Sequence, residues 1–263
     1  MRKLFLIALS SAAVLAAPAM AADMKVKAPI LAPPPAFSWT GCHIGGNIGG
    51  KSATTSGSVD VAAATGPAGA TPASSFHLTD TTSGSFIGGG QLGCDYQGGW
   101  WVIGAEGDAD WQSWSQSRTV GLAPPALFVT GDTFDVSSKW QASLRGRAGI
   151  AMDRVLLYAT GGVAWTNVTV GTNFIVSGVF PSTVVSDSKT ITGVTGGAGF
   201  DYAMTNNVIF GLEGRYTVYD SQTFNSGLLA TSTLRGLFTF APATTTLKLN
   251  TAEVLAKINF KFF

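Results

Sequence analysis

The stretch that decides the fold is the C-terminal one, Asn250-Thr251-Ala252-Glu253-Val254-Leu255-Ala256-Lys257-Ile258-Asn259-Phe260-Lys261-Phe262-Phe263. Alternate positions are apolar, namely Ala252, Val254, Ala256, Ile258, Phe260 and Phe262. The positions between them carry Glu253, Lys257, Asn259 and Lys261. A repeat of two residues is typical of a β-strand whose two faces meet different surroundings. One apolar face and one charged face predict a strand of a transmembrane β-barrel.

The N-terminus has the pattern of a secretory signal. Met1-Arg2-Lys3 precedes an apolar run from Leu4 to Ala17 and a small-x-small site at Ala19-Met20-Ala21. We therefore predict a signal peptide over residues 1–21, cleaved after Ala21. The alternative is a retained N-terminal anchor, which is disfavoured because the apolar run is too short to cross a bilayer as a helix.

The remaining chain divides into a linker and one domain. Residues 22–37 are Pro-rich and show no strand or helix repeat, which predicts an extended periplasmic linker. Residues 38–263 form the predicted barrel domain. The chain is 46% hydrophobic and only 12% charged, whereas a soluble domain carries about 25% charged residues. Its net charge of +1 gives no reason to expect a nucleic-acid partner.

The connections predict the topology. Eight segments have strand character: 38–50, 84–97, 100–111, 137–151, 154–168, 190–204, 208–220 and 249–262. Long polar stretches (51–83, 112–136, 169–189 and 221–248) alternate with tight turns at Gly98-Gly99, Met152-Asp153 and Thr205-Asn206-Asn207. Long extracellular loops and short periplasmic turns are typical of outer-membrane barrels. We predict an all-β fold, an eight-stranded antiparallel transmembrane up-and-down β-barrel with both termini on the periplasmic side.

The three tight turns also predict the register of their hairpins. Polar and apolar sets then fall on the same faces of neighbouring strands in all three hairpins. The predicted pairs include Cys94 with Ile103, Arg147 with Tyr158 and Asp201 with Gly211.

The apolar face must meet lipid, because a Lys or Arg on the lipid face at mid-bilayer costs about 2–4 kcal/mol. The charged residues of the strands should therefore face the interior: Glu106, Asp108, Arg145, Arg147, Glu213, Arg215, Glu253 and Lys257. Buried charges need partners, so we predict a network of ion pairs that fills a narrow lumen. Eight strands leave room for little more than side chains. The alternative is that these residues are ordinary surface charges of a soluble protein.

Aromatic residues cluster at both ends of the predicted strands and indicate two interfacial girdles. The periplasmic girdle would contain Trp39, Tyr96, Trp101 and Tyr202. The outer girdle would contain Trp111, Trp114, Trp140 and Trp165.

The two cysteines, Cys42 and Cys94, fall on outward positions of neighbouring strands near the periplasmic end. Directly opposed residues of antiparallel strands are within disulfide range, and the periplasm is oxidising. The sequence leaves two alternatives open: a disulfide, or two separate small apolar residues on the lipid face.

The sequence carries no recognisable catalytic or cofactor site. His43 is predicted to face the lumen and His77 to lie in the first loop, and neither has metal-ligand spacing. Serine is so common that no Ser/His/acid set can be identified. We predict no cofactor, no metal and no enzymatic activity.

Four stretches resemble those of the small alpha-proteobacterial outer-membrane proteins often labelled "porin family". They are Trp39–Gly46, Phe86–Gly93, the hairpin Leu144–Ala151 with Asp153–Ala164, and Gly211–Tyr216. The resemblance implies an OmpA-like membrane barrel in contact with outer-membrane lipid and lipopolysaccharide. It also implies insertion by machinery that reads the C-terminal strand, here Phe260, Phe262 and the extra residue Phe263. Cys42, His43 and Cys94 depart from the family pattern, which has aromatic residues at these positions.

These observations predict a structural outer-membrane barrel with a narrow charged lumen and exposed polar loops. Three alternatives remain open. The barrel could be a small pore for ions or solutes, its loops could bind a host or phage ligand, or it could be a soluble lipocalin-like barrel.

Overall fold

The computed structural model describes residues 37–67, 69–120, 132–174, 183–232 and 238–262. The predicted signal peptide, the linker up to residue 36 and Phe263 lie outside these ranges. Within them the strands are β1 Gly41–Val61, β2 Ala64–Gly66, β3 Gly69–Thr71, β4 Ser74–Gly98, β5 Trp101–Val120, β6 Asp132–Met152, β7 Val155–Phe174, β8 Thr183–Ala203, β9 Val208–Tyr219, β10 Gln222–Ser232 and β11 Phe238–Phe262. The described ranges contain no helix that is long and apolar enough to cross a membrane.

The strands form a closed antiparallel ring of eight, in the order β1-β4-β5-β6-β7-β8-β9-β11. The first and last strands close it, from Cys42 opposite Phe262 to Val61 opposite Ala243. The predicted eight-stranded up-and-down barrel is therefore confirmed. β10 continues β9 along the far part of β11, and β2 and β3 form a separate small hairpin.

Seven of the eight ring strands are longer than predicted, and β9 is the exception. β1 runs on to Val61 and β4 begins at Ser74, so most of the 51–83 stretch predicted as loop is strand. In β1 the outward positions there are Ser, Thr or Asp, while Ala53, Val59 and Val61 face inward and are buried. The alternation that makes a strand therefore continues, although the composition is that of a loop.

Two of the three predicted turns were wrong by one residue. The first turn occupies Gly99-Trp100, so Cys94 faces Ala105 rather than Ile103. The second occupies Asp153-Arg154, so Arg147 faces Thr160 rather than Tyr158. In both turns the first residue has positive φ, 71° at Gly99 and 51° at Asp153, and Gly and Asp tolerate this conformation best.

Each error moved the register by two residues, so the side-chain faces stayed as predicted. In the third hairpin Asp201 faces Gly211, as predicted.

The outward face and the inward face of the barrel wall both change in polarity at the same height along the strands. On β5 the outward residues are apolar from Trp101 to Trp111 and become serine at Ser113 and Ser115. The inward residues are charged from Glu106 to Asp110, and the inward Trp114 belongs to an apolar cluster. The outward apolar zone is called the belt below. The part of the barrel beyond it, residues 52–61, 74–83, 113–120, 132–138, 167–174, 183–191, 222–232 and 238–251, is called the extension.

The extension has the pattern of a water-soluble barrel, polar outside and apolar inside. Its interior holds two clusters of buried apolar side chains. One contains Ala53, Trp114, Val168, Val170, Ile191, Phe224, Leu247 and Leu249 together with Ala164 and Tyr219 from just outside the extension, and the other contains Val59, Val61, Phe134, Ala241 and Ala243. This core explains why the extended strands fold in water rather than remaining loops.

The wall of the extension has a seam. The β8–β9 ladder stops at Gly193 opposite Tyr219, and side chains of β8 then bond the backbone of β10. The Lys189 ammonium donates to the Thr223 carbonyl oxygen (2.5 Å), and the Asn225 N–H donates to Asp187 Oδ2 (3.0 Å). The strands thus stay in contact where the described residues show no backbone ladder between them.

A charge placed on the belt should destabilise the folded barrel, because lipid solvates a charge poorly. Leu144, which is 55% exposed, lies near the middle of the belt on β6. Leu144→Arg is expected to lower the free energy of unfolding in phospholipid vesicles by about 2–4 kcal/mol. The matched control is Ser115→Arg, at an outward position of the extension, which should change it by less than about 0.5 kcal/mol. Denaturant titrations of the folded fraction measure both, and equal costs would contradict the assignment of the belt.

Candidate functional site: the charge network of the lumen

The eight charged residues predicted to line the lumen are all buried inside the ring. They project from four strands, and each occupies an inward position of its strand. They are Glu106 and Asp108 on β5, Arg145 and Arg147 on β6, Glu213 and Arg215 on β9, and Glu253 and Lys257 on β11. Together with the further residues described below, they form the lumen network.

Arg145 lies at the centre of the lumen network. Its Nη2 is 2.7 Å from Glu106 Oε1 and 2.8 Å from Asp108 Oδ1. Its Nη1 bonds Glu213 on the opposite wall, and its Nε donates to the Ser143 hydroxyl (2.9 Å). One guanidinium therefore binds three carboxylates and ties β6 to β5 and β9, which the planar fork of arginine allows.

Two further cations connect the same carboxylates. Arg215 Nε lies 2.6 Å from Glu213 Oε1, and its Nη1 lies 3.2 Å from Asp108 Oδ2. The Lys257 ammonium lies 2.7 Å from Glu106 Oε1 and 3.0 Å from Glu213 Oε2. Glu106 and Glu213 are therefore each held by more than one cation, and the ion pairs extend from β5 across to β9 and β11.

The network continues toward the short-turn end. Arg147 pairs with Asp201 (2.7 Å) and Glu106 (3.3 Å), and its Nε lies 3.4 Å from Asp95 Oδ1. Its guanidinium carbon lies 4.2 Å from the centre of the Tyr158 ring. The Tyr158 hydroxyl in turn donates to Glu213 Oε2 (2.8 Å), so this ring connects the two halves of the network.

The sequence prediction missed several members of the network, namely Lys51, Asp95, Asp110, Asp201 and Tyr158, whereas His43 faces the lumen as predicted. Lys51 lay in the predicted first loop, yet its ammonium lies 3.4 Å from Glu253 Oε1 and bonds Gln141 Oε1 (2.5 Å). Asp95 and Asp201 stand at alternate positions of their strands that face inward, as the residues of the predicted set do (this odd–even alternation is called parity below). Strict use of parity on every strand would have found them.

Carboxylates outnumber fixed cations in the lumen network. Five cations, Lys51, Arg145, Arg147, Arg215 and Lys257, face seven carboxylates, Asp95, Glu106, Asp108, Asp110, Asp201, Glu213 and Glu253. His43 adds its ring, with Nε2 3.5 Å from Glu106 and Nδ1 3.8 Å from Asp95. Buried atoms without a hydrogen-bond partner include His43 Nε2, Asp95 Oδ1 and Asp201 Oδ1.

Each charge of the network stabilises the barrel mainly by compensating its neighbours. Moving an ion from water into a protein interior costs several kcal/mol, and only close opposite charges offset that cost. Removing one partner therefore leaves every group that it contacted as a buried charge whose desolvation cost is no longer offset. The pairs cross the interior of the barrel and connect facing strands.

The two cysteines lie opposite each other in the β1–β4 ladder. They are joined by a disulfide, with Cα atoms 4.0 Å apart and a sequence separation of 52. The bond lies near the short-turn end of the barrel and connects the first ring strand to the second.

Most of the predicted girdle residues are exposed. These are Tyr96, Trp101 and Tyr202 at one end and Trp111 and Trp140 at the other, while Trp165 is half-buried. The prediction was wrong for Trp39 and Trp114, which are buried. Trp114 occupies an inward position in the core of the extension. Trp100 is 67% exposed in the first turn and was not predicted as a girdle residue.

The histidines show no metal-binding arrangement. Among the described residues, no group of three or more His, Cys, Asp or Glu side chains could hold a metal ion. His43 faces the carboxylates of Asp95 and Glu106, and His77 is exposed on β4 in the extension.

A closed ring of eight antiparallel strands with an apolar belt and a charged interior defines an integral outer-membrane β-barrel protein. Comparison with known families agrees. Residues 7–236 match the family model described as outer membrane protein beta-barrel domain, and the chain belongs to this family. Its location is the cell outer membrane.

The relatives agree with the resemblance seen in the sequence. The chain is 35% identical over 217 residues to the 31 kDa outer-membrane immunogenic protein of Brucella melitensis, covering 79% of this chain and 84% of the relative. It is 36% identical over 120 residues to the 22 kDa outer membrane protein of Rhizobium leguminosarum bv. viciae, covering 43% and 51%. The resemblance to alpha-proteobacterial outer-membrane proteins is thereby confirmed.

Among solved structures, the chain is similar to Ail, the attachment invasion locus protein of Yersinia pestis. The sequence identity is 13%, the match covers 85% of this chain and 99% of that chain, and the TM-score is 0.37.

Proposed function

We propose that this protein is a structural barrel of the outer membrane whose lumen is closed to ions and which holds a rigid extension above the membrane. The observation that carries the proposal is the lumen network. Its ion pairs connect facing walls, with Arg145 in contact with Glu106, Asp108 and Glu213. An ion crossing the barrel would have to separate pairs that have no bulk water to replace the lost partner.

Recording in planar lipid bilayers tests this proposal. The folded wild-type protein is expected to insert without sustained conductance steps. Heat-unfolded protein in the same detergent is the control for leaks caused by detergent or debris. Reproducible steps in the wild type that change in Arg145→Ala or Glu106→Ala would contradict a closed lumen.

The second candidate is a small cation-conducting pore. The excess of carboxylates over cations favours it, as do the buried atoms of His43, Asp95 and Asp201 that have no hydrogen-bond partner, because such atoms are readily satisfied by water. Wild-type conductance with a preference for potassium over chloride would support this candidate.

The third candidate is recognition by the extension. Large apolar side chains are exposed there at Val184, Leu228 and Phe240, and exposed apolar surface outside the membrane marks interaction sites. The partner could be a host or phage molecule. Some relatives are named as immunogenic proteins, which supports an exposed surface. Deletion of extension residues with normal membrane insertion but lost binding would favour this candidate.

The remaining expectations complete the proposal. Residues 1–21 would be removed on export, and the linker of residues 22–37 would lie in the periplasm up to its last residue, Phe37, which packs against the end of the barrel. Insertion machinery would read the last strand, where Phe260 and Phe262 face outward and are exposed, together with Phe263. Outer-membrane lipid and lipopolysaccharide would surround the belt. We propose no enzymatic activity and no cofactor, because both nitrogens of His43 face carboxylates rather than a hydroxyl nucleophile.

A further inference from the structure

The four residues before β1 turn into the periplasmic mouth of the barrel. This stretch, Phe37-Ser38-Trp39-Thr40, is called the mouth segment. Trp39 is 2% exposed and Phe37 8%, and their rings meet edge to face with centres 5.0 Å apart. They pack with Val102, Leu156, Tyr158, Ala203 and Ile209 in one apolar cluster. An apolar layer therefore lies at the end of the barrel at which the chain enters.

Hydrogen bonds hold the mouth segment to three parts of the barrel. The Trp39 backbone N–H donates to Gln97 Oε1 (2.7 Å), and the Gln97 N–H donates to Thr40 Oγ1 (2.9 Å). The Trp39 indole N–H donates to the carbonyl oxygen of Asp153 in the second turn (3.1 Å). The Lys261 ammonium on the last strand donates to the Ser38 carbonyl oxygen.

The Phe37 ring lies between two cations, with Lys261 Nζ at 4.9 Å and Arg154 Cζ at 5.6 Å from its centre. Such contacts add about 0.5–1 kcal/mol each at partly exposed sites. The mouth segment thus contacts the first turn region, the second turn and the last strand, and its apolar cluster includes Ala203 and Ile209 beside the third turn.

The mouth segment lies next to the lumen network. Tyr158 belongs to the apolar cluster of Trp39, and its hydroxyl donates to Glu213 in the network (2.8 Å). The lumen thus contains two barriers in series, an apolar one at the mouth and an ionic one above it. The two barriers block ions in different ways. The apolar constriction excludes the water that would hydrate an ion, whereas the ion-paired side chains fill the space that an ion would need.

We infer that the mouth segment is a second, independent seal of the lumen, with Trp39 as the residue that closes it. This inference rests on the proposed function, since it assigns a further determinant of the closed state. With Trp39 present, breaking the ionic barrier alone leaves the apolar barrier, and removal of Trp39 alone leaves the ionic barrier. Only loss of both opens a continuous aqueous path.

The test compares four proteins in planar bilayers: wild type, Trp39→Ala, Glu106→Ala and the double variant. The double variant is expected to show sustained conductance at least ten times more often than either single variant. The matched control replaces Trp39→Ala by Trp100→Ala, which removes an exposed tryptophan of the same mouth and should add nothing to Glu106→Ala. Heat-modifiable migration on gels verifies that each protein is folded.

The outcomes separate this inference from the proposed function. If Glu106→Ala alone conducts as often as the double variant, the mouth segment is not a seal. If the wild type conducts, the proposed closed lumen fails, and a conductance unchanged by Trp39→Ala then overturns the seal as well. Should Trp39→Ala not fold, Gln97→Ala takes its place, because it removes the acceptor of the Trp39 backbone N–H. Trp39→Phe, which keeps most of the apolar volume, should retain the seal.

Discussion

Replacing Arg145 by alanine is expected to lower the free energy of unfolding by about 3–5 kcal/mol, the usual cost of removing one partner of a buried ion pair. The reason is local: Glu106, Asp108 and Glu213 all lose a cation at contact distance, and none of them can reach bulk water. Denaturant titration of the barrel in phospholipid vesicles measures the effect.

The matched control is Lys139→Ala, because Lys139 is an exposed cation on the same strand. It should change the free energy of unfolding by less than about 0.5 kcal/mol. Equal effects of the two variants would mean that Arg145 is hydrated and that the lumen network is not buried. Arg145→Lys should recover part of the loss, since it restores the charge without the planar fork.

Loss of the Cys42–Cys94 bond is expected to cost up to about 4 kcal/mol. The bond closes a loop with a sequence separation of 52, and a crosslink of that length removes much of the freedom of the unfolded chain. The Cys42→Ala, Cys94→Ala double variant keeps both positions apolar at the lipid face, so the lost crosslink dominates the change. Denaturant titration compares the variant with the oxidised wild type.

Reduction supplies the control for this prediction. A thiol reductant should destabilise the wild type to the level of the double variant and leave the double variant unchanged. A wild type whose midpoint and non-reducing gel mobility do not respond to reductant would show that the two thiols are free in the folded protein.

The alternation of side chains made most of the barrel predictable. Parity alone placed Arg145, Glu213 and Lys257 inside the ring, because a one-residue error would have put a charge in lipid. Parity could not choose between registers that differ by two residues. That choice depended on which residue of each turn takes positive φ, here Gly99 and Asp153.

Other features depend on contacts between distant parts of the chain. Trp39 was predicted to be a girdle residue, but it is buried in an apolar cluster to which β5, β7, β8 and β9 contribute residues. In β6 the register shifts between Ser137 and Gln141, so the inward positions change from even to odd numbers there. The sequence did not reveal this irregularity. The lengths of the strands beyond the belt were underestimated for another reason, because their Ser- and Thr-rich outward positions have the composition of a loop.

The height of the belt has a consequence for the surrounding bilayer. From Trp101 to Trp111 a tilted strand spans roughly 25 Å along the membrane normal. Because serine follows immediately on the outside, the barrel cannot rise or sink without hydrophobic mismatch. Lipids with longer acyl chains would have to compress around it. The protein should therefore fold fastest in short-chain bilayers and gather in the thinnest regions of its membrane.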